Sequence, residues 1–138
     1  MRKKIIVFAV LSAVYIIFFP MLREWIVNER YGFEFIVSGE KNEESLGTEI
    51  WLDAVLADGE MCDLSRFALG DGWEQQGRIF NPGMEPGRHT VVFPYGERVE
   101  FVFIKHPYSG VIQVKHKGET RKIDLFSEKE ETVSMIFE

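Results

Sequence analysis

"FIKHPYSGVIQV" (Phe103–Val114) decides the fold: an apolar strand breaks at Pro107, Tyr108 crosses the gap, and a second strand resumes beyond Gly110. Pro, Ser and Gly between two runs rich in β-branched and aromatic residues signal a turn between strands rather than a helix. Reading backwards through "RVEFVFIKH" (98–106), alternate positions Val99, Phe101 and Phe103 form one apolar face, directed at a core. Val102 and Ile104 on the other face are too apolar for open solvent, so loops or a docked partner should cover that side as well.

The same grammar extends outward. "FEFIV" (33–37) and "TEIWLDAVL" (48–56) alternate, the latter placing Ile50, Leu52, Ala54 and Leu56 on one face and Trp51, Asp53 and Val55 on the other. "ADGEM" supplies an Asp-Gly turn. In the middle stretch 62–89, glycines and prolines forbid long elements, although "DLSRF" can make one helical turn. "HTVVF", "RVEFVFI", "GVIQVKH", "TRKIDLF" and "TVSMIF" then follow closely, punctuated by "PYGE", "HPYSG" and "HKGE". Strands at this spacing with no long amphipathic helix between them predict an all-β, antiparallel sandwich.

The N-terminus obeys different rules. Ile5 to Leu22, "IIVFAVLSAVYIIFFPML", is uncharged, and as a helix it roughly matches a hydrocarbon core of ~30 Å. Pro20 should bend its outer turn, and Trp25 suits an anchor at headgroup depth. A cleaved signal peptide is the rival, but "FFPML" is a poor cleavage site, and no cysteine follows for a lipid anchor. "MRKK" outweighs the mixed "REWIVNER", so the positive-inside rule keeps the N-terminus cytoplasmic and sends the rest outside. The expected layout is a basic cytoplasmic tip (1–4), a transmembrane signal anchor (5–26), a juxtamembrane segment with the first strand (27–47) and an extracytoplasmic sandwich (48–138), single-pass in the plasma membrane.

Composition narrows the function classes. From residue 5 onward thirteen basic residues face twenty-two acidic ones, a balance poorly suited to nucleic acid. The single cysteine, Cys62, excludes an internal disulfide and a thiolate metal cage. His89, His106 and His116 are too dispersed for a local metal motif, and Asp53, Asp58, Asp63 and Asp71 do not follow a calcium-loop spacing. No cofactor is expected. GxSxG, HExxH and CxxC are missing, and Ser65, Ser109 and Ser127 have no base identifiable in sequence, so a non-catalytic role is the expectation.

The run "VEFVFI", a linker ending in Ser-Gly, "GVIQVKHKGE" and "KIDLFS" resembles the galactose-binding-like jelly-roll sandwiches of carbohydrate-binding modules. "EIWLD", "DLS", "GW", "KHPYSG" and "IDLFS" together are similar to small sandwich domains attached to bacterial membrane proteins of cell-envelope polysaccharide assembly. The resemblance implies a jelly roll of a bacterial envelope protein and suggests a polysaccharide nearby, while the helix would hold the chain in the lipid bilayer beside a larger integral membrane partner; jelly rolls of this kind sometimes hold a structural calcium. It carries over no ligand residues.

Four side chains stand out as ligand candidates. Trp51 beside Asp53 combines an aromatic platform with a carboxylate acceptor, and Trp73 in "GDGWEQQG" is either a loop platform or a plug over the core. Tyr108 is either a platform for sugar C–H faces or a ring packed over the sandwich end, and turn chemistry in its neighbours favours packing. The sequence therefore predicts a membrane-anchored accessory subunit of envelope polysaccharide machinery that contacts glycan or its partner enzyme or transporter. The alternative is a structural docking module, which would expose Val102 and Ile104, where a sugar module would expose Trp51 or Tyr108.

Overall fold

The computed structural model describes residues 2–66, 69–92 and 97–138. Among these residues one helix, α1 (Arg2–Tyr31), leads without a loop into ten strands. They are β1 (Gly32–Val37), β2 (Ile50–Ala57), β3 (Glu60–Met61), β4 (Glu74–Gln76), β5 (Arg78–Asn81), β6 (Gly87–Val92), β7 (Val99–Lys105), β8 (Val111–His116), β9 (Glu119–Asp124) and β10 (Glu131–Phe137). A single 3₁₀ turn, Leu64–Arg66, fulfils the expectation for "DLSRF" as far as it is described; Phe67 lies outside the described residues, as does most of the expected "PYGE" turn.

The strands form two antiparallel sheets, β6-β1-β8-β9 and β10-β7-β2-β5-β4, with β3 paired to β2. They pack as a β-sandwich. The faces meet through phenylalanines: Phe33 lies edge-on to Phe101 at 5.0 Å and to Phe137 at 5.3 Å, and Phe35 edge-on to Phe101 at 5.2 Å, geometries that suit ring quadrupoles. Val99, Phe101 and Phe103 all point into this layer, as the alternation in β7 requires. Lys117 and Gly118, both with positive φ, close the β8–β9 hairpin, and Asp58-Gly59 does the same between β2 and β3.

Two sequence expectations change. The helix extends beyond 26 to Tyr31, and β1 inside the 27–47 segment is an interior strand, paired with both β6 and β8. The sandwich thus starts at Gly32 rather than at 48. The reason is local: "FEFIV" begins immediately after the last helical turn, and each of its inward residues Phe33, Phe35 and Val37 is buried.

The second change is a register shift between β2 and β7 after Leu52. It inserts an extra residue at Asp53, so Val55 is buried in place of Ala54 and Leu56, which are only half-buried. Strict alternation cannot anticipate a bulge.

α1 contains Pro20 and continues past it to Tyr31. Its Ile6–Arg23 window has a mean hydropathy of 2.2 and none of it is buried, so it is long and apolar enough to cross a membrane, as an anchor or as a signal sequence. Trp25 follows that window, exposed.

Candidate functional site

The segment before β2 and the turn after β7 are woven together. Glu49 and Ser109 form a parallel bridge, with Glu49 N–H donating to the Tyr108 carbonyl at 2.9 Å and Gly110 N–H to the Glu49 carbonyl at 2.9 Å. Leu46 N–H adds a bond to the Pro107 carbonyl, and the Ser45 hydroxyl donates to the Ser109 carbonyl at 2.6 Å. Buried Ser45 and Ser109 thus supply donors and acceptors that the irregular backbone needs away from water. Gly110 itself does not have a positive φ; it is glycine because a Cβ there would lie 2.7 Å from the Thr48 carbonyl oxygen.

This weave sets the edge of an open groove of ≈ 300 Å³ on the outer face of the larger sheet. Trp51 on β2, Ile104 on β7 and Phe80 on β5 stand side by side in register. The Trp51 ring leans on Phe80 at 4.3 Å and its Nε1–H donates to Glu49 Oε2 at 3.0 Å, so the indole is held at both its face and its edge. Ile104 is only 3% exposed and floors the groove. Glu130, Arg78, Pro107 and Tyr108 also line it.

Tyr108 departs from expectation. The turn around it is built by backbone and by His106 and Ser109, which leaves the phenol ring 52% exposed at the groove rim instead of packed over the sandwich end. Tyr108 N–H donates to His106 Nδ1 at 3.0 Å, which makes Nδ1 the acceptor; in the neutral ring the proton therefore sits on Nε2, 3.3 Å from Glu49 Oε2. The Ser109 hydroxyl lies 3.1 Å from the same Nδ1, giving that serine the neighbouring base that sequence reading did not find. Ser109 is fully buried and accepts the His106 N–H, so the trio of Glu49, His106 and Ser109 tightens a turn, with its hydroxyl out of a substrate's reach.

The structure brings Trp51 and Tyr108 into one groove. Asp53 stands behind it: its Oδ1 receives Arg78 Nε at 2.7 Å, so the carboxylate orients Arg78 rather than facing the opening. Trp73 is elsewhere, half-buried against the core 6.2 Å from Phe35 and 5.9 Å from His89, which fits the plug reading. Sequence reasoning missed Glu49, Arg78, His106 and Glu130 as groove residues. Glu49 had one usable signal, its i, i+2 spacing to Trp51, which puts both on one strand face.

Among the described residues no three His, Cys, Asp or Glu side chains converge as a metal site. Three of the four aspartates considered for calcium have protein partners: Asp53 pairs with Arg78, Asp58 Oδ1 accepts the N–H groups of Glu97 and Arg98, and Asp63 accepts the hydroxyl and N–H of Ser65, bonds that hold its carboxyl below the usual range. Burial pushes the Cys62 thiol up, which keeps it protonated and weakly nucleophilic at neutral pH. No protein-family model, curated protein or solved structure matches this chain.

Proposed function

We propose that α1 anchors the chain in the plasma membrane with its N-terminus cytoplasmic, and that the sandwich, a module of jelly-roll type, contacts glycan outside. It would act as a non-catalytic accessory subunit beside a larger integral membrane enzyme or transporter of envelope polysaccharide assembly. One observation carries the reading: an open groove in which two aromatic side chains, Trp51 and Tyr108, flank the Glu49 carboxylate, which is held by a hydrogen bond from the indole. Apolar rings take the C–H faces of a sugar, and carboxylates accept its hydroxyls. The docking alternative gains less support, because Ile104 is buried and the outer face offers no exposed Val102–Ile104 patch.

Position favours the same reading. β1 leaves α1 at Gly32, and Phe33 meets Phe137 and Phe101 while Phe35 meets Phe101 and Phe103, so β1 and β7 climb together away from the helix. Six residue steps along β7 from Val99 to Lys105, at ~3.3 Å each, put the groove about 20 Å beyond the helix-proximal end. A polymer can reach it without entering the headgroups.

Tyr108→Ala tests the groove cleanly, because an exposed ring contributes little to folding. The full chain in mild detergent should keep its melting midpoint, within the ~0.5 kcal/mol usual for surface changes. Its retention on isolated envelope polysaccharide, read by affinity electrophoresis, should fall about tenfold or more, the loss of one anchor contact. Retention equal to the parent's would sink the glycan reading. For orientation, a reporter active only outside the cytoplasm, fused after Glu138, should work, and reversing the charges at Arg2, Lys3 and Lys4 should weaken it. Signal from a cytoplasm-only reporter at that site would reverse the topology.

A further inference from the structure

We propose, on the basis of the glycan reading above, that the groove selects sugar chains that are uncharged or carry a free amine, and rejects polyanionic chains such as polyuronates. Glu49 and Glu130 line the groove, and Asp53 pairs with its one lining guanidinium, Arg78. That guanidinium is already engaged, with Nε on Asp53 at 2.7 Å and Nη1 3.9 Å from Glu130. His106 is engaged at both ring nitrogens, Nδ1 accepting the Tyr108 N–H and Nε2 lying 3.3 Å from Glu49 Oε2. A uronate or phosphate entering here would meet carboxylates within a Debye length of ~10 Å and find no unengaged positive group among the lining residues.

Hydroxyls and amines meet the opposite situation. The Trp51 Nε1–H bond and the 3.3 Å approach of His106 Nε2 both fall on Oε2 of Glu49, at most two of the roughly four acceptor positions a carboxylate offers. A sugar hydroxyl can donate to the remainder. An ammonium gains more, because it pairs with Glu49 while lying against the electron-rich faces of Trp51 and Tyr108.

The test uses the full chain in mild detergent at 0.15 M salt, with three soluble polymers: β-linked glucosamine with free amines, its fully N-acetylated counterpart as short oligomers, and a polyuronate. Binding to the amine polymer should be tightest, the acetylated oligomers intermediate, and the polyuronate weaker than the amine polymer by about tenfold or more. Glu130→Gln, a change at an exposed side chain, should reduce the amine preference about threefold and flatten its salt dependence. Tyr108→Ala should remove most amine-polymer binding; binding that survives it would come from the acidic body at large and overturn the proposal. Polyuronate bound as well as the amine polymer would overturn the selectivity while leaving the glycan reading standing. If none of the three is bound and envelope polysaccharide is not retained either, both fall together.

Discussion

Phe35→Ala is expected to cost about 3–5 kcal/mol, the usual range for emptying a core phenylalanine site. Phe35 is 1% exposed, and its ring spans the space between the sheets, edge-on to Phe101 and within 6.5 Å of both Phe103 and Trp73. Removing it opens a cavity where both layers meet, and neither layer can close it alone because each backbone is held by its own ladder. Single domains hold only ~5–15 kcal/mol in total, so a large share of the stability goes. Followed by tryptophan fluorescence of the full chain in detergent, the unfolding midpoint should drop by roughly 15–25 °C. An unchanged midpoint would mean that the two sheets do not pack through β1.

Gly110→Val should be nearly as damaging, for a reason of space rather than backbone angle. The added Cβ would stand 2.7 Å from the Thr48 carbonyl oxygen and 3.0 Å from its carbon, both backbone atoms with no rotamer to yield. Thr48 cannot retreat, because a Cβ on Gly83 would overlap the same carbonyl from another side and the Thr48 hydroxyl is tied to the Pro82 carbonyl at 2.9 Å. Overpacking of this kind costs ~1–3 kcal/mol, and the valine methyls push towards the upper end. The functional consequence is separate from the energetic one. Pushing Thr48 from Gly110 breaks the Glu49–Ser109 bridge, and with it the alignment of Glu49 and Trp51 against Tyr108. The midpoint should fall by roughly 10–20 °C, and glycan retention should weaken even well below that midpoint. A variant that melts like the parent would show that the two backbones are not in contact.

What the sequence determined by itself is whatever depends on neighbours a few residues apart. The uncharged run from Ile5 to Leu22 dictates a helix that cannot sit in water alone, and the alternation in "FEFIV" and "VEFVF" dictates strands with phenylalanines on one face. Asp58-Gly59 dictates a tight turn, because Asp and Gly are among the few residues that accept two positive φ angles, and at Lys117-Gly118 the glycine supplies the turn signal. Even Trp51 facing away from the core was legible, since it lies before the bulge. Past Asp53 the alternation misleads: which of Ala54 and Val55 turns inward depends on how β2 meets β7, a pairing partner some fifty residues away.

The groove belongs wholly to the tertiary structure. Its walls come from 49–51, 78, 104–108 and 130, segments joined only when β2 is flanked by β5 and β7 and β10 closes on β7. Local chemistry at "HPYSG" correctly announced a turn but not what occupied its interior. His106 and Ser109 turn inward to satisfy that backbone, so the ring of Tyr108 is left for solvent, and only the long-range contact with Glu49 reveals the difference. A buried polar group must find a partner wherever the fold brings one, and sequence separation places no limit on where that partner comes from.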